Sequence, residues 1–226
     1  MRKGAAMAVV CLLLMMAAQA CGEARTYTYG GSEEDVLSDI AVSADGRIAL
    51  AGYTASSDGT LSGRTKTGHS GWVLCVNAEG EVLWSFCRRQ GNSDRMHDPV
   101  FHEDGTVTAV LESAFENVQV LEWLQFDWKG NVRSFGTLHM SHDPRVKIDI
   151  MGIYPDEGYV VREADSRTGI IRYLLYSFFG AYIQALDGYG GESAQSAVMM
   201  DGSRAYAETI RQNRTDARLT IIAPWE

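Results

Sequence analysis

The chain has 226 residues, 46% of them apolar and 22% charged, a composition ordinary for a globular protein with one sizeable core or two small ones. It carries 29 acidic and 20 basic side chains, and loss of Arg2 and Lys3 with a removable leader leaves 18 basic residues and a net charge of −11. Such an acidic surface repels phosphate backbones and anionic headgroups, which argues against nucleic-acid binding and against membrane attachment through charge alone.

The first 20 residues have the pattern of a secretory signal peptide. Arg2 and Lys3 form a short positive start, and residues 5–18 are an uncharged run rich in Leu, Met, Val and Ala. A run of about 14 residues is shorter than the ~20 that a bilayer-spanning helix needs. The pattern therefore predicts export and removal of the leader. No second apolar run of this length follows in the sequence, so we expect no transmembrane helix in the mature chain.

The residues around position 21 resemble the cleavage region of bacterial lipoproteins. In Ala18-Gln19-Ala20-Cys21-Gly22, small residues precede a cysteine, although Ala18 stands where these signals usually carry Leu. The resemblance implies that Cys21 becomes a lipidated N-terminus and that the protein is anchored at the cell envelope. The alternative is cleavage after the same small residues and free secretion.

Internal repetition is the main feature of the remaining sequence. Apolar residues alternate with others on both sides of three turn-like glycines, Gly80, Gly130 and Gly180, which are spaced 50 residues apart. Period-two alternation predicts strands, and a glycine turn between two such runs predicts a hairpin. A second set of turns precedes these hairpins, at Asp45-Gly46, Asp104-Gly105, Asp156-Glu157-Gly158 and Asp201-Gly202. Asp-Gly is a favoured hairpin turn because glycine accepts a positive φ.

Each unit thus comprises four antiparallel strands, the composition of a β-propeller blade. We predict an all-β fold, a single β-propeller domain over residues 21–226 with about four four-stranded blades. The units cover about 30–87, 88–138, 139–189 and 190–226. The last unit is one strand short, and residues 25–29 could supply that strand and close the ring, which would pair two exposed edges. An open stack or a β-sandwich of the same hairpins is the alternative.

The first unit resembles one repeat of the exported bacterial β-propeller repeat proteins, many of which are lipoproteins of unassigned function. The matching residues are Tyr29-Gly30-Gly31-Ser32, Asp35, Asp45-Gly46, Ala51-Gly52-Tyr53-Thr54, Ser57-Asp58-Gly59, Ser62-Gly63, Trp72-Val73, Gly80 and Trp84. The match is good over 29–86, weaker over 88–138 and skeletal beyond. The resemblance implies the fold and export, and brings no catalytic residues with it.

Two cysteines, Cys75 and Cys87, remain after the leader and Cys21. In the predicted hairpin Cys75 lies opposite Leu83 or Trp84, and Cys87 lies about 10–13 Å further along. A disulfide needs Cα atoms closer than about 7 Å, so we predict two free, packed thiols.

Polar residues on the predicted innermost strands are the candidate ligand site, since propeller ligands meet these strands or the loops around the central channel. Aligning the first two units on their Asp-Gly turns pairs Asp35 with Asp94, Ser38 with His97, and Asp39 with Asp98. The candidates are Asp35, Asp39, Asp94, His97, Asp98, His142, Asp143 and Gln195. The alternative for Asp35 and Asp94 is a structural role, in which their carboxylates cap turns.

The sequence provides no pattern that predicts a cofactor, a metal site or a catalytic centre. His139, His142 and Asp143 lack a further ligand at a telling spacing, and no Gly-x-Ser-x-Gly, phosphate loop or His-Glu-x-x-His occurs. We therefore expect a noncatalytic envelope module that binds a protein or a glycan. The alternative is a secreted hydrolase that acts on extracellular glycan or peptide through carboxylates at the channel mouth.

Overall fold

The computed structural model describes residues 26–61, 68–154 and 156–185, and the backbone alone of residue 186 and of three C-terminal strands, 194–198, 204–211 and 215–222. In these parts of the chain the secondary structure is fifteen β-strands and one short 3-10 turn at Gly59–Leu61. The all-β prediction is confirmed. The signal peptide, Cys21, and the turns at 190–192 and 201–202 lie outside the described residues.

The strands pair in chain order, each antiparallel to the next, within four separate sheets. The first sheet contains β1 (Asp35–Val42), β2 (Ile48–Thr54), β3 (Ser70–Val76) and β4 (Val82–Arg88). The second contains β5 (Ser93–Phe101), β6 (Val107–Ala114), β7 (Gln119–Phe126) and β8 (Val132–Ser141). The third contains β9 (Val146–Tyr154), β10 (Gly158–Asp165), β11 (Ile170–Ser177) and β12 (Tyr182–Leu186). The fourth contains β13 (Ala194–Val198), β14 (Arg204–Arg211) and β15 (Thr215–Ile222).

The last hairpin of each of the first three sheets uses the same turn, spaced 50 residues apart. Asn77 Oδ1 accepts hydrogen bonds from the backbone N–H groups of Glu79 and Glu81, at 3.1 and 2.8 Å. The Asp127 carboxylate and the Ser177 hydroxyl accept the corresponding bonds in the second and third sheets. Gly80, Gly130 and Gly180 follow with φ of 81°, 82° and 81°. Only glycine adopts this φ without strain, which explains the repeated residue.

Both faces of each of the first three sheets are apolar. One cluster lies between the first and second sheets and includes Val73, Cys75, Leu111 and Phe126. Another lies between the second and third sheets around Val110, Tyr159 and Leu174. Two further clusters lie on the faces that point away from the second sheet. They are Leu61, Trp72, Leu74 and Val76 on the first sheet, and Tyr154, Val160, Ile171, Tyr173 and Leu175 on the third.

The predicted closure of the ring is where the structure differs from the sequence-based expectation. No strand pairing in the described parts of the chain links the fourth sheet to the first. Residues 26–29 form no strand, and no pairing of this segment with the last sheet is present in the described parts of the chain. They lie instead on the first sheet, where the Tyr29 hydroxyl donates a hydrogen bond to the Gly80 carbonyl at 2.9 Å. This bond, and the Tyr27 ring beside the same glycine, hold the segment.

Cys75 and Cys87 are not joined in a disulfide, as predicted. Cys75 pairs with Trp84 across the hairpin, whereas Cys87 pairs with Trp72. Burial of Cys75 in the core between the first two sheets raises the pKa of its thiol to about 11. The thiolate is the reactive form of cysteine, so Cys75 is an inert packing residue at neutral pH.

Candidate functional site

The first strands of the sheets lie next to one another. β5 contacts β1, β9 contacts β5, and β13 contacts β9. A β-bulge interrupts each of β1, β5 and β9, at Ser38, at Asp98-Pro99 and at Met151. Bulges re-aim side chains and are common next to functional sites. The predicted inner strands are therefore neighbours, and the bulges of β1 and β5 fall next to Asp39 and at Asp98.

The bulges bring Asp39 and His97 together in a way that sequence alignment did not predict. Asp39 pairs with Ala51, the fourth residue of β2, and His97 pairs with Val110, the fourth residue of β6. Asp39 is therefore the structural counterpart of His97, whereas the alignment paired Asp39 with Asp98. Asp98 lies in the bulge with a φ of 44°.

His97 lies between two carboxylates from different sheets. Its Nε2 is 3.0 Å from Glu112 Oε2 on β6, and its Nδ1 is 3.6 Å from Asp39 Oδ2 on β1. The Ser38 hydroxyl donates to Asp39 at 3.1 Å, and the Asp98 backbone N–H donates to the same carboxylate. We call Asp39, His97 and Glu112 the inner triad. Its ion pairs link the first sheet to the second.

The inner triad favours the charged form of all three members. Burial opposes the charge on His97, but its hydrogen bonds and ion pairs with Asp39 and Glu112 outweigh that cost and raise its pKa to about 9. Burial likewise opposes ionisation of the two carboxyl groups, but the bonds from His97 prevail and lower the pKa of both. At neutral pH the triad is an imidazolium between two carboxylates, with Nε2–H donating to Glu112.

Further charges surround the triad. Arg95 is the register partner of Glu112, and its guanidinium lies 4.8 Å from the Tyr53 ring centroid. Positive charge on Lys147 and Arg95 contributes to the low pKa of Glu112. On β9, the Asp149 carboxylate accepts ion pairs from Lys147 at 3.0 Å and from Arg162 at 3.1 Å. Acidic and basic groups therefore lie on the first strands of the first three sheets.

Asp35 and Asp94 have the structural role that was the alternative to ligand contact. The Asp35 carboxylate accepts bonds from Gly31 N at 2.7 Å, from Ser56 Oγ at 2.8 Å and from the Thr54 hydroxyl. Asp94 is buried and accepts the backbone N–H groups of Gln90 and Gly91 at 2.6 and 3.0 Å. Both carboxylates hold the chain that enters the first strand of their sheet.

The remaining candidates do not join the triad. His142 is exposed in the connection between β8 and β9. The Asp143 carboxylate is bound by the Arg145 guanidinium and backbone, with the ion pair at 2.7 Å. Gln195 pairs with Ala207 through the backbone of β13, and its side chain is outside the described part of the structure.

His139 is used internally. Its Nδ1 lies 2.8 Å from the Tyr176 hydroxyl and its Nε2 lies 3.0 Å from Glu163 on the neighbouring sheet. In the described residues no group of three or more His, Cys, Asp or Glu side chains is arranged to hold a metal ion.

Sequence reasoning missed Glu112, the acidic partner from the second strand of the sheet. The only signal is that the strand-like run Val107–Leu111 ends at a glutamate where the first repeat has Tyr53. That position faces Arg95 across the ladder, but the approach of β1 from another sheet is not visible in the local pattern.

No protein-family model matches the chain, and no curated protein matches its sequence. None of the described residues forms a helix with the length and apolarity needed to cross a bilayer.

Proposed function

We propose that the protein is a noncatalytic binding module of the cell envelope, with a protein or a glycan as its ligand. The proposal depends on the inner triad. A carboxylate pair that hydrolyses glycosides needs one member protonated at the working pH, which requires a raised pKa. In the triad His97 lowers the pKa of both carboxyl groups, so neither Asp39 nor Glu112 is suited to act as a general acid.

The same cluster suits recognition. Asp39, His97 and Glu112 retain 30%, 18% and 26% of their side-chain exposure, so their polar atoms are fixed in position and still partly accessible. Hydroxyl, amide and charged groups of a ligand find both donors and acceptors among them and the nearby Lys147. Prepositioned polar groups of this kind provide orientation and specificity in binding sites.

We further propose that the sheets are blades of a four-bladed β-propeller. Two observations support this. The outward faces of the first and third sheets are apolar, with Trp72 and Leu74 on one and Tyr173 and Leu175 on the other, as is expected if a fourth sheet packs between them. Trp84, on the last strand of the first sheet, packs against Gly130 of the second sheet. Tyr27 packs against Gly80 of the first sheet in the same way. Residues 26–29 therefore occupy the place of a preceding blade's outer strand.

Export and lipid anchoring through Cys21 complete the proposal. The support is the leader sequence alone, with its positive start, apolar run and cysteine after small residues. Metabolic labelling with a fatty acid, comparing the wild type with Cys21→Ser, tests the anchor. Labelling of the wild type alone is expected, and equal labelling of both would remove the anchor from the proposal.

The binding proposal is tested on an array of cell-surface glycans and envelope proteins. We expect saturable binding without product, weakened at least tenfold by Asp39→Asn and unchanged by Asp143→Asn, a matched substitution outside the triad. Mass spectrometry of the incubated ligands detects any cleavage. Turnover that is lost in Asp39→Asn and Asp98→Asn, with the fold intact by circular dichroism, would establish the hydrolase instead.

A further inference from the structure

The path of the chain into the first sheet defines which end of the sheets lies near the N-terminus. Residues 26–29 begin beside Gly80, in the turn between β3 and β4. They then run to Gly30, which exchanges hydrogen bonds with Thr60 in the connection between β2 and β3. We call the end with the turns 43–47, 77–81, 102–106, 127–131 and 177–181 the turn end. The loop end carries the connections 55–61, 89–92, 115–118, 142–145 and 166–169.

The length of the preceding segment limits how far the turn end can lie from an anchor at Cys21. Thr26 is five positions after Cys21, and a fully extended chain covers at most about 3.6 Å per residue. A lipid on Cys21 therefore holds the entry point within about 18 Å of the headgroups. Gly30 holds the 55–61 connection within about 14 Å of Thr26. The other connections of the loop end lie the length of a strand away from the turn end, about 25 Å for seven or eight residues.

The turn end also exposes aromatic side chains at equivalent turns. Trp128, in the turn of the second sheet, is 66% exposed, and the neighbouring Lys129 Nζ lies 4.6 Å from its ring centroid. Phe179, one repeat later, is 52% exposed. Tryptophan with a flanking lysine is typical of the interface between a bilayer and water, where the ring meets the headgroups and the ammonium stays in water.

The charge of this end sets which bilayer it fits. Glu79, Glu81, Glu103 and Asp156 are exposed there. These carboxylates are repelled by anionic lipid, so attachment by charge is disfavoured and the tether must supply the proximity. A zwitterionic surface allows the aromatic tips to reach the headgroups, whereas an anionic one keeps the domain at the length of its tether.

From the entry point, tether length and exposed aromatics together, we propose that the turn end faces the bilayer and that the loop end points outward to meet the binding partner. The occupant of the turn end is the membrane surface, with Trp128 in contact with it. This orientation rests on the proposed lipid anchor at Cys21.

The test uses the full chain, expressed and processed in a bacterium, purified and placed on phosphatidylcholine vesicles with brominated acyl chains. Bromine quenches tryptophan fluorescence only at short range. We expect quenching of the wild type, with Trp128→Phe removing at least half of it. Adding Thr168→Trp to Trp128→Phe, which puts an indole at the loop end, should restore none. Replacing a third of the lipid by phosphatidylglycerol should weaken quenching of the wild type.

Flotation separates the possible failures. If the wild type floats with the vesicles and yet loses no more fluorescence than Trp128→Phe, the orientation is wrong, while the lipid anchor is still supported. The same conclusion holds if the indole at position 168 is quenched as strongly as Trp128. If the wild type does not float, and behaves as Cys21→Ser does, the anchor is wrong and the orientation falls with it. Circular dichroism of each variant confirms that the sheets are intact.

Discussion

His97 is the residue that couples the first two sheets by charge. Its pKa rises from 6.5 to about 9 on folding, which corresponds to about 3 kcal/mol at 1.36 kcal/mol per tenfold change in proton affinity. We expect His97→Asn to lower the free energy of unfolding by about 2–3 kcal/mol at pH 6, because Asp39 and Glu112 lose the charge between them. Urea denaturation measures this. The exposed His142→Asn is the matched control and should change stability by less than about 0.5 kcal/mol.

The difference between wild type and His97→Asn should depend on pH with a defined sign. A histidine whose pKa is raised by folding contributes its full stability below its unfolded value of 6.5 and loses it as the pH rises through about 9. Asp39 and Glu112, whose pKa values are lowered, contribute above their ordinary values of 3.8 and 4.5 and lose this on acidification. The stability difference should therefore be largest between about pH 5 and 6.5. A difference that is still undiminished at pH 10 would contradict the assignment.

Asp94 stabilises its turn through a buried carboxylate that accepts backbone bonds from Gln90 and Gly91. In Asp94→Asn one acceptor oxygen becomes an NH₂ group that faces N–H donors. We expect a loss of about 1.5–3 kcal/mol in the free energy of unfolding. The exposed Glu79→Gln makes the same chemical change and should be neutral. Equal stability of the two variants would show that the Asp94 bonds contribute nothing net.

The roles of single residues were predictable where they act locally. Asp35 and Asp94 each lie at the start of a strand and follow a Gly-containing segment, so turn capping could be proposed from sequence. The inner triad was not, because Asp39, His97 and Glu112 come from three strands of two sheets. Two of its members were among the candidates only because the repeat placed them on inner strands.

The hairpins show the same contrast at the level of elements. The turn glycines at 80, 130 and 180 and the alternating runs around them fixed the predicted strand order, which the structure has in all three sheets. The bulges in β1, β5 and β9 were not predicted. A bulge places two residues opposite one and has no characteristic sequence. Aligning Asp39 with Asp98 therefore missed the one-residue shift that makes Asp39 equivalent to His97.

The repeated turn glycines are under two constraints, a positive φ and an aromatic ring from the preceding element. A β-carbon at Gly130 would lie 2.7 Å from the Trp84 ring, whereas one at Gly169, where φ is 70°, would meet no atom within 4 Å. Gly169→Ala should cost about 1 kcal/mol, since only backbone strain is added. Gly130→Ala should cost about 2–4 kcal/mol, because the packing of Trp84 must also shift. Thermal unfolding of the two variants compares them, and equal losses would show that the ring contact is unimportant.

For the whole molecule, the position of the fourth sheet decides between a ring and an open stack. Ile40 and Val42 of β1 are each 65% exposed, and they share their face with Ile48 and Leu50. Two exposed apolar residues next to a buried apolar cluster on one face are expected if another sheet covers that face. In a closed ring the fourth sheet covers this face. Its first strand, β13, then lies next to β1, just as β5 lies next to β1 on the other side.

Spin labels measure this arrangement directly. The label pair Ser38→Cys and Ser196→Cys joins β1 to β13, in a background where Cys21 and Cys87 are serine and the buried Cys75 stays unlabelled. The pair Ser38→Cys and Ser93→Cys, on the neighbouring strands β1 and β5, sets the scale. Packed sheets lie about 10 Å apart, so a ring should give similar distances for both pairs. An open stack places three such spacings, about 30 Å, between β1 and β13. A long β1–β13 distance beside a short β1–β5 distance would therefore exclude the closed four-bladed propeller.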